Sequence, residues 1–312
     1  MSFVQPVSMH EDEGLRQLIS DASICKGTKF YKMFIFHHIN DLSSYLEERR
    51  RHGAAVGFVP TMGALHEGHL SLVDRAKSHT DVVVCSIFVN PAQFNNSADL
   101  ESYPQTIDED IYKLEMHGCD VLFLPSVAEM YPDGVAERID VDLGPVAEKL
   151  EGLFRPGHFR GMATIVDKLL AVVNPRCLFM GQKDYQQSLV VKELLDRTRR
   201  DVELHIVPTM REPDGLAMSS RNMRLTEGER QQANLIYQCL VSIQAQAGIK
   251  PFKIVQKECA DLLEKKGIRP EYILLCNADT LEALDDYDRS QPMIALIAVF
   301  IGEIRLIDNL VL

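Results

Sequence analysis

A chain of 312 residues, 46% hydrophobic and 25% charged, has an ordinary globular composition and enough length for two domains. Its net charge of −12 argues against a nucleic-acid binder, which needs a concentrated basic surface, and its longest apolar runs, "DVVVCSIFV" and "MIALIAVFIG", are too short to cross a bilayer. Seven scattered cysteines without a CxxC pair predict reduced thiols, and with no signal peptide evident the chain is expected to be cytoplasmic.

Residues 1–32 are polar and weakly patterned, and are set apart as an N-terminal extension. Structure is expected from "MFIFHHINDLSSYLEERRR", where "EERRR" reads as a solvated helix face. Short apolar runs then alternate with helical patterns. "AAVGFVP" precedes a helix from about His66, and "DVVVCSIFV" precedes one around Ile107, Ile111 and Leu114. "DVLFLP" is followed by "GMATIVDKLLAVV", "RCLFMG" by "YQQSLVVKELLDRT", and "VELHIVP" closes the series. Buried runs alternating with amphipathic helices predict an α/β domain over 33–208, a Rossmann-like parallel sheet with helices on both faces.

Beyond Pro208 the alternation stops. A helix over "EGERQQANLIYQCLVSIQAQ" and another over "PFKIVQKECADLLEKKG" are expected, the second with Phe252, Val255, Cys259 and Leu262 on its apolar face. Strand-like "EYILLC", "MIALIAVFI" and "EIRLIDNLVL" follow, the last two joined at Gly302 as in a hairpin. This order predicts a smaller α+β domain over 209–312, placed to close as a lid.

The chemistry is concentrated in "GFVPTMGALHEGHLSLV", which holds His66 and His69. A zinc-protease site needs histidines four apart on one helical face. Here they are three apart with no third ligand nearby, so no residue is assigned to a metal. Two histidines packed at a strand-to-helix turn would be the plain reading. The surroundings point instead to phosphate: a buried strand ends at Pro60, and the histidines sit in the first turns of a helix. That position offers unpaired N–H groups and the positive end of the helix dipole at the carboxyl edge of a parallel sheet. Gly63 and Gly68 remove side chains where a backbone or nucleotide must come close. The Gly-Lys-Ser of a P-loop is absent.

Further along, "GLAMSSRN" carries two hydroxyls, Ser219 and Ser220, and the fixed charge of Arg221, suited to a β- or γ-phosphate, although a capped turn would use the same residues. The carboxylates of "DEDI" (108–111) read as an acidic helix N-terminus rather than a magnesium site. His158 in "GHFRG" is a candidate neighbour of the site. Of the adjacent Gln186 and Gln187, a helical offset of about 100° lets only one face a ligand.

His-x-Gly-His resembles the loop of the nucleotidyltransferase superfamily that includes class I aminoacyl-tRNA synthetases. From about Met33 onward the chain resembles the pantoate–β-alanine ligase (pantothenate synthetase) family more closely. The resemblance rests on "PTMGALHEGHLSL", "SIFVNPAQF", "YPQTIDED", "LEGLFRPGHFRGMATIVDKLL", "GQKDYQQ" and "REPDGLAMSSRNMRL" in that order. It implies ATP-dependent ligation of pantoate and β-alanine through a pantoyl-adenylate, release of AMP and pyrophosphate, a need for Mg2+, and a homodimer. It also implies roles. Met62, Gly63, Ala64, Leu65, His66, Glu67, Gly68 and His69 match the ATP-binding loop, with His69 its proton donor. Gly181, Gln182, Lys183 and Asp184 match a second ATP segment, and Met218, Ser219, Ser220 and Arg221 a third. Met210 matches a main-chain contact to adenine, Gln93 a glutamine shared by pantoate and β-alanine, and Gln187 a second pantoate contact. Two departures stand out: Gln182 where many relatives have Glu, and Met210 in place of a more usual Val. His66, His69, Lys183 and Arg221 are expected to neutralise departing pyrophosphate. Two rivals remain: a nucleotidyltransferase of the phosphopantetheine adenylyltransferase type, and a nucleotide-binding regulator without catalysis.

Overall fold

The computed structural model describes residues 32–94 and 100–312; Cys25 and nearly all of the N-terminal extension lie outside them. Six short runs form one parallel sheet: β1 (Phe34–Phe36), β2 (Val56–Thr61), β3 (Val82–Ile87), β4 (Val121–Phe123), β5 (Cys177–Gly181) and β6 (Glu203–Val207), in the order β1-β4-β3-β2-β5-β6. The longer helices between them are α1 (Ile39–Arg51), α2 (Glu67–Lys77), α3 (Ile107–Met116), α4 (His158–Val173) and α5 (Tyr185–Thr198).

Side-chain alternation in the strands divides the interior into two layers. Phe58, Val84, Phe123 and Leu178 join Leu42 and Leu46 of α1 and the apolar faces of α4 and α5. Their chain neighbours Val59, Val83, Leu122 and Phe179 join Leu70 and Val73 of α2 and Leu114 of α3 on the other side. Both faces are therefore covered, which is why these strands read as unbroken apolar runs. The "EERRR" stretch is exposed as expected except at Arg50. Arg50 is half-buried and donates to the Val173 carbonyl at 3.0 Å, meeting one of the unpaired carbonyls at the end of α4.

The chain builds outward from β2 in one direction and from β5 in the other, so the crevice between these strands is the topological switch point. Strand β2 pairs with β3 over all of Val56–Thr61, but with β5 only at Gly57 and Phe58. Beyond Phe58 the two central strands part, and a cavity opens between their carboxyl ends.

The C-terminal part contains α6 (Glu227–Ala233), α7 (Leu235–Ala245), α8 (Phe252–Glu264) and an antiparallel sheet of β7 (Ile268–Asn277), β8 (Met293–Ile301) and β9 (Ile304–Val311). The expected hairpin joins β8 to β9, with Ile301 opposite Ile304 and Gly302 at φ +54°. Two expectations are corrected. The single helix over 227–246 is broken at Asn234, where ψ relaxes to −17° and a short polar side chain favours a turn over a helix interior. On α8 the buried face is Phe252, Val255, Cys259 and Leu263; Leu262 lies one position round the helix and is exposed. Strand β8 is buried on both faces: Ala295, Ile297 and Val299 pack under the helices, whereas Ile294 and Leu296 join the core of the parallel sheet.

One close approach fixes the cavity wall. The 3₁₀ turn Pro91–Gln93 follows β3 and lies against α4, where a Cβ on Gly161 would fall 2.1 Å from the Ala92 carbonyl oxygen. Asn90 Nδ2 donates to the Gly161 carbonyl at 3.1 Å across the same contact. Gly161→Ala is therefore expected to push the turn off α4 and to cost about 1–3 kcal/mol, as overpacking does. Denaturant unfolding checks it; an unchanged midpoint would show that the contact yields freely.

Candidate active site

The loop after β2 turns sharply. Gly63 and Ala64 both take positive φ, +81° and +49°, and the second is uncomfortable for a residue with a Cβ. What holds it is Asp110 on α3, fully buried, whose carboxylate accepts from Ala64 N–H at 2.9 Å and Leu65 N–H at 2.7 Å. The carboxylates of 108–111 thus divide: Asp108 and Glu109 are exposed in the first turn of α3, while Asp110 braces another element altogether. Lys113, one turn on, donates to the Leu65 carbonyl at 2.8 Å. The N–H groups of Ala64 and Leu65 are consequently not open to phosphate, and the free ones lie at the start of α2.

His66 caps α2, and its ring lies 4.0 Å from that of His69. A Cβ on Gly68 would meet the His66 ring at 2.9 Å, so the space at this glycine is filled by imidazole rather than left for a nucleotide. His66 N–H approaches His69 Nδ1 at 3.4 Å, which makes Nδ1 the acceptor and leaves the proton of a neutral His69 on Nε2. Burial pushes the His69 pKa down to about 4, helped by the charges of Lys183 and Lys113. For His66, burial, then His69 and Lys183, bring it to about 2. Both rings are neutral hydrogen-bonding groups near pH 7.

His66, His69, Lys183 and Arg221 line one cavity of about 240 Å³, although they come from segments far apart in the chain. Met62, Gly68, Gln93, Gly181, Asp184, Gln187, Met210, Met218, Ser219 and Ser220 line it too. Gly63, Ala64, Leu65, Glu67 and Gln182 stand outside the lining. They shape the wall: the Ala64 carbonyl accepts from the buried Ser220 hydroxyl at 3.0 Å, which joins the loop after β2 directly to the Met218–Arg221 loop. Ser219 caps its own turn, its hydroxyl accepting from Arg221 N–H at 3.3 Å. The Met210 carbonyl accepts from Met218 N–H at 3.0 Å.

At the other end of the cavity, Gln93 is buried in the 3₁₀ turn. Its Oε1 accepts from Asn90 Nδ2 at 3.2 Å, and its Nε2 rests 2.8 Å from the Met62 sulfur, a weak acceptor that a ligand oxygen would displace. His158 lines the cavity and donates from Nδ1 to the Gln93 carbonyl at 2.8 Å, with a pKa pushed to about 4 by burial and by Arg155. Gln186 is consumed by the wall, accepting from Glu151 N–H and donating to the Val146 and Lys149 carbonyls. Gln187 is only half-buried and makes no side-chain hydrogen bond among the described residues, so it is the glutamine of the pair that can meet a ligand.

Of the carboxylates lining the cavity, Glu151 is matched by Arg305 at 2.6 Å and Asp308 by Arg211 at 2.6 Å. Burial alone would raise the Glu151 pKa, but Arg305 outweighs it and holds the group ionised. Lys183, Arg221 and Arg155 line the cavity as well, with Asp184 3.6 Å from the Lys183 ammonium. Arg155 and Asn309 escaped sequence reasoning, and Asp110 was read only as part of an acidic helix start. A buried acid in an acidic run and an amide in an apolar strand carry no local signal. One further group with metal-ligand chemistry, Cys177, Glu203 and His205, sits at the amino ends of β5 and β6, away from the cavity, with Glu203 already 3.1 Å from His205.

A family model for pantoate-beta-alanine ligase matches residues 34–311. The chain belongs to that family. It is 45% identical over 280 residues to the pantothenate synthetase of Alteromonas mediterranea, covering 89% of this chain and 99% of that one. Pantothenate synthetase from Thermus thermophilus superposes with a TM-score of 0.82 at 39% identity, covering 89% and 99% of the two chains. A pantoate-beta-alanine ligase of Francisella tularensis, described as complexed with beta-gamma ATP and β-alanine, gives a TM-score of 0.76 at 38% identity over 90% of this chain and 98% of that one. The protein is therefore a ligase, and the parallel sheet with its small antiparallel companion is the architecture of these relatives.

The depressed histidine pKa values make acid sensitivity predictable. An unfolded chain protonates histidine near pH 6.5, whereas folded His66, His69 and His158 stay neutral down to about 2, 4 and 4. Their contribution to stability is complete above about pH 6.5 and is lost as the pH falls from there toward 4. Urea unfolding of the ligand-free protein between about pH 7.5 and 5 should show this loss, reduced in a His66→Gln/His69→Gln double variant. Equal slopes would place both rings in contact with solvent.

Proposed function

We propose that the protein joins pantoate to β-alanine at the expense of ATP, through an enzyme-bound pantoyl-adenylate, with AMP and pyrophosphate as products. The observation that carries this is the convergence of the His66–His69 turn, Lys183 and Arg221 on one cavity that has Gln93 and Gln187 at hand. In the first step a pantoate carboxylate oxygen attacks the α-phosphorus of ATP, and the bond to the bridging oxygen breaks to release pyrophosphate. Charge grows on that oxygen, so the rate depends on cations and donors already in position. Lys183 and Arg221 supply fixed charge, and neutral His69 donates from Nε2 without first losing a solvation shell. A bound polyanion opposes the effect of Lys183 and Lys113 and raises the His69 pKa, which suits it to pass a proton to the leaving group.

In the second step the β-alanine amine attacks the acyl carbon and the bond to AMP breaks. Glutamines suit this pocket because an amide orients carboxylate and hydroxyl without adding repulsive charge. Mg2+ would enter with the ATP phosphates. Asp184 is the exposed carboxylate of the lining and lies 3.6 Å from the Lys183 ammonium, so protein offers the ion little and phosphate and water would hold most of it. In this reading 33–208 binds ATP and pantoate, 209–312 contributes the Met218–Arg221 loop, and the enzyme works in the cytoplasm as a homodimer.

Pantoate-dependent exchange of labelled pyrophosphate into ATP tests the chemistry. An adenylyltransferase of phosphorylated substrates, or a regulator, should show none. In the same assay His69→Ala is expected to slow exchange about a hundredfold with far less effect on ATP binding, as for loss of one preorganised donor. Equal losses in rate and binding would reduce His69 to a binding group. Gln93→Ala should raise the Michaelis constants for pantoate and β-alanine and spare that for ATP; an unchanged pantoate constant would remove Gln93 from the pocket.

A further inference from the structure

Two adjacent polar residues in β9, Asp308 and Asn309, are buried among apolar neighbours and border the cavity. The Asn309 amide is committed to one turn, Gln182–Asp184. Its Nδ2 donates to the Gln182 carbonyl at 3.0 Å and the Lys183 carbonyl at 2.9 Å, and its Oδ1 accepts from Gln182 Nε2 at 3.3 Å. That turn is a single 3₁₀ turn with no side-chain cap, so it has little hydrogen bonding of its own to fix its shape. Asp308 grips Arg211 through two bonds of 2.6 and 3.0 Å. Arg211 in turn donates to the carbonyls of Gly215 at 3.1 Å and Asn309 at 3.3 Å, holding the strap that leads to Met218–Arg221.

We propose that Asn309 is a positioning residue for adenylate formation: it sets the turn from which the Lys183 ammonium reaches phosphate. With Asp308 it registers the two cation-bearing segments, one on each side of residue 209, against a single strand. The consequence is mechanical. Any swing of the C-terminal sheet carries Lys183 with it, so the Lys183 and Arg221 charges keep their spacing through the cycle. The proposal rests on the reading in which Lys183 acts at phosphate.

The test is a double-mutant cycle on Asn309→Leu, close in size but without donors, and Lys183→Ala, read by pantoate-dependent pyrophosphate exchange. If Asn309 acts through Lys183, Asn309→Leu lowers the exchange rate about tenfold with the pantoate KM within about twofold. The double variant then stays within about threefold of Lys183→Ala alone, because placing an absent ammonium has no value. Losses that multiply, or a pantoate KM that rises in step with the fall in rate, would overturn the proposal while leaving Lys183 in its role. A Lys183→Ala enzyme that exchanges at the parent rate would overturn both. Should Asn309→Leu fail to fold, Asn309→Ser, which keeps one donor, enters the same cycle with the same criteria.

Discussion

The grip of Asp110 on the N–H groups of Ala64 and Leu65 is the interaction on which the site depends. A chain leaving a parallel strand for a helix would ordinarily offer those groups to an anion. Here a protein carboxylate takes them permanently, and the turn is locked in a left-handed form that Ala64 would not choose. The locked turn gives the first turn of α2 a fixed direction. His66 and His69 face the cavity because of it, and the Ala64 carbonyl is left pointing where Ser220 can reach it. In the proposed reading, anion recognition shifts from loop amides to imidazoles, fixed cations and the remaining N–H groups of the helix start.

That shift explains how a strongly acidic chain can hold an acidic nucleotide beside an acidic substrate. Net charge describes the whole surface, whereas the field in a cleft depends on the few charges lining it. The lining carboxylates Glu151 and Asp308 are each bound to an arginine, so neither repels an anion as a free carboxylate would. The histidines, uncharged when the cavity is open to water, hold no counterion that ATP must displace. Positive charge in the lining comes from Lys183, Arg155 and Arg221.

The strands were legible because both sheet faces are covered, so burial writes itself as continuous apolar runs. The His-x-Gly-His turn was legible because its residue types are unusual in a core. Asp110 was visible as an acid yet not as a brace, since its partners are backbone groups 45 and 46 residues away and backbone atoms leave no trace in composition. Gln186 and Gln187 were separable only as a pair, and burial decided which one is structural. Leu262 and Leu263 illustrate the same limit: periodicity identified an apolar stripe and missed its edge by one residue, because α8 also carries a leucine just outside the contact.

The small sheet is tied to the parallel sheet by shared core residues. Strand β8 divides its side chains between two cores, and Ile294 and Leu296 are buried against the parallel-sheet layer together with Cys276 and Leu281. Separating the two units would expose those groups to water, at roughly 25 cal/mol for each Å² of apolar surface. It would also strand the Glu151–Arg305 pair, whose partners come from opposite sides of residue 209 and whose carboxylate is buried; leaving one member unpaired is costlier than any surface pair is worth. The Met218–Arg221 loop meets the parallel-sheet side through the Ser220 hydroxyl, which donates to the Ala64 carbonyl.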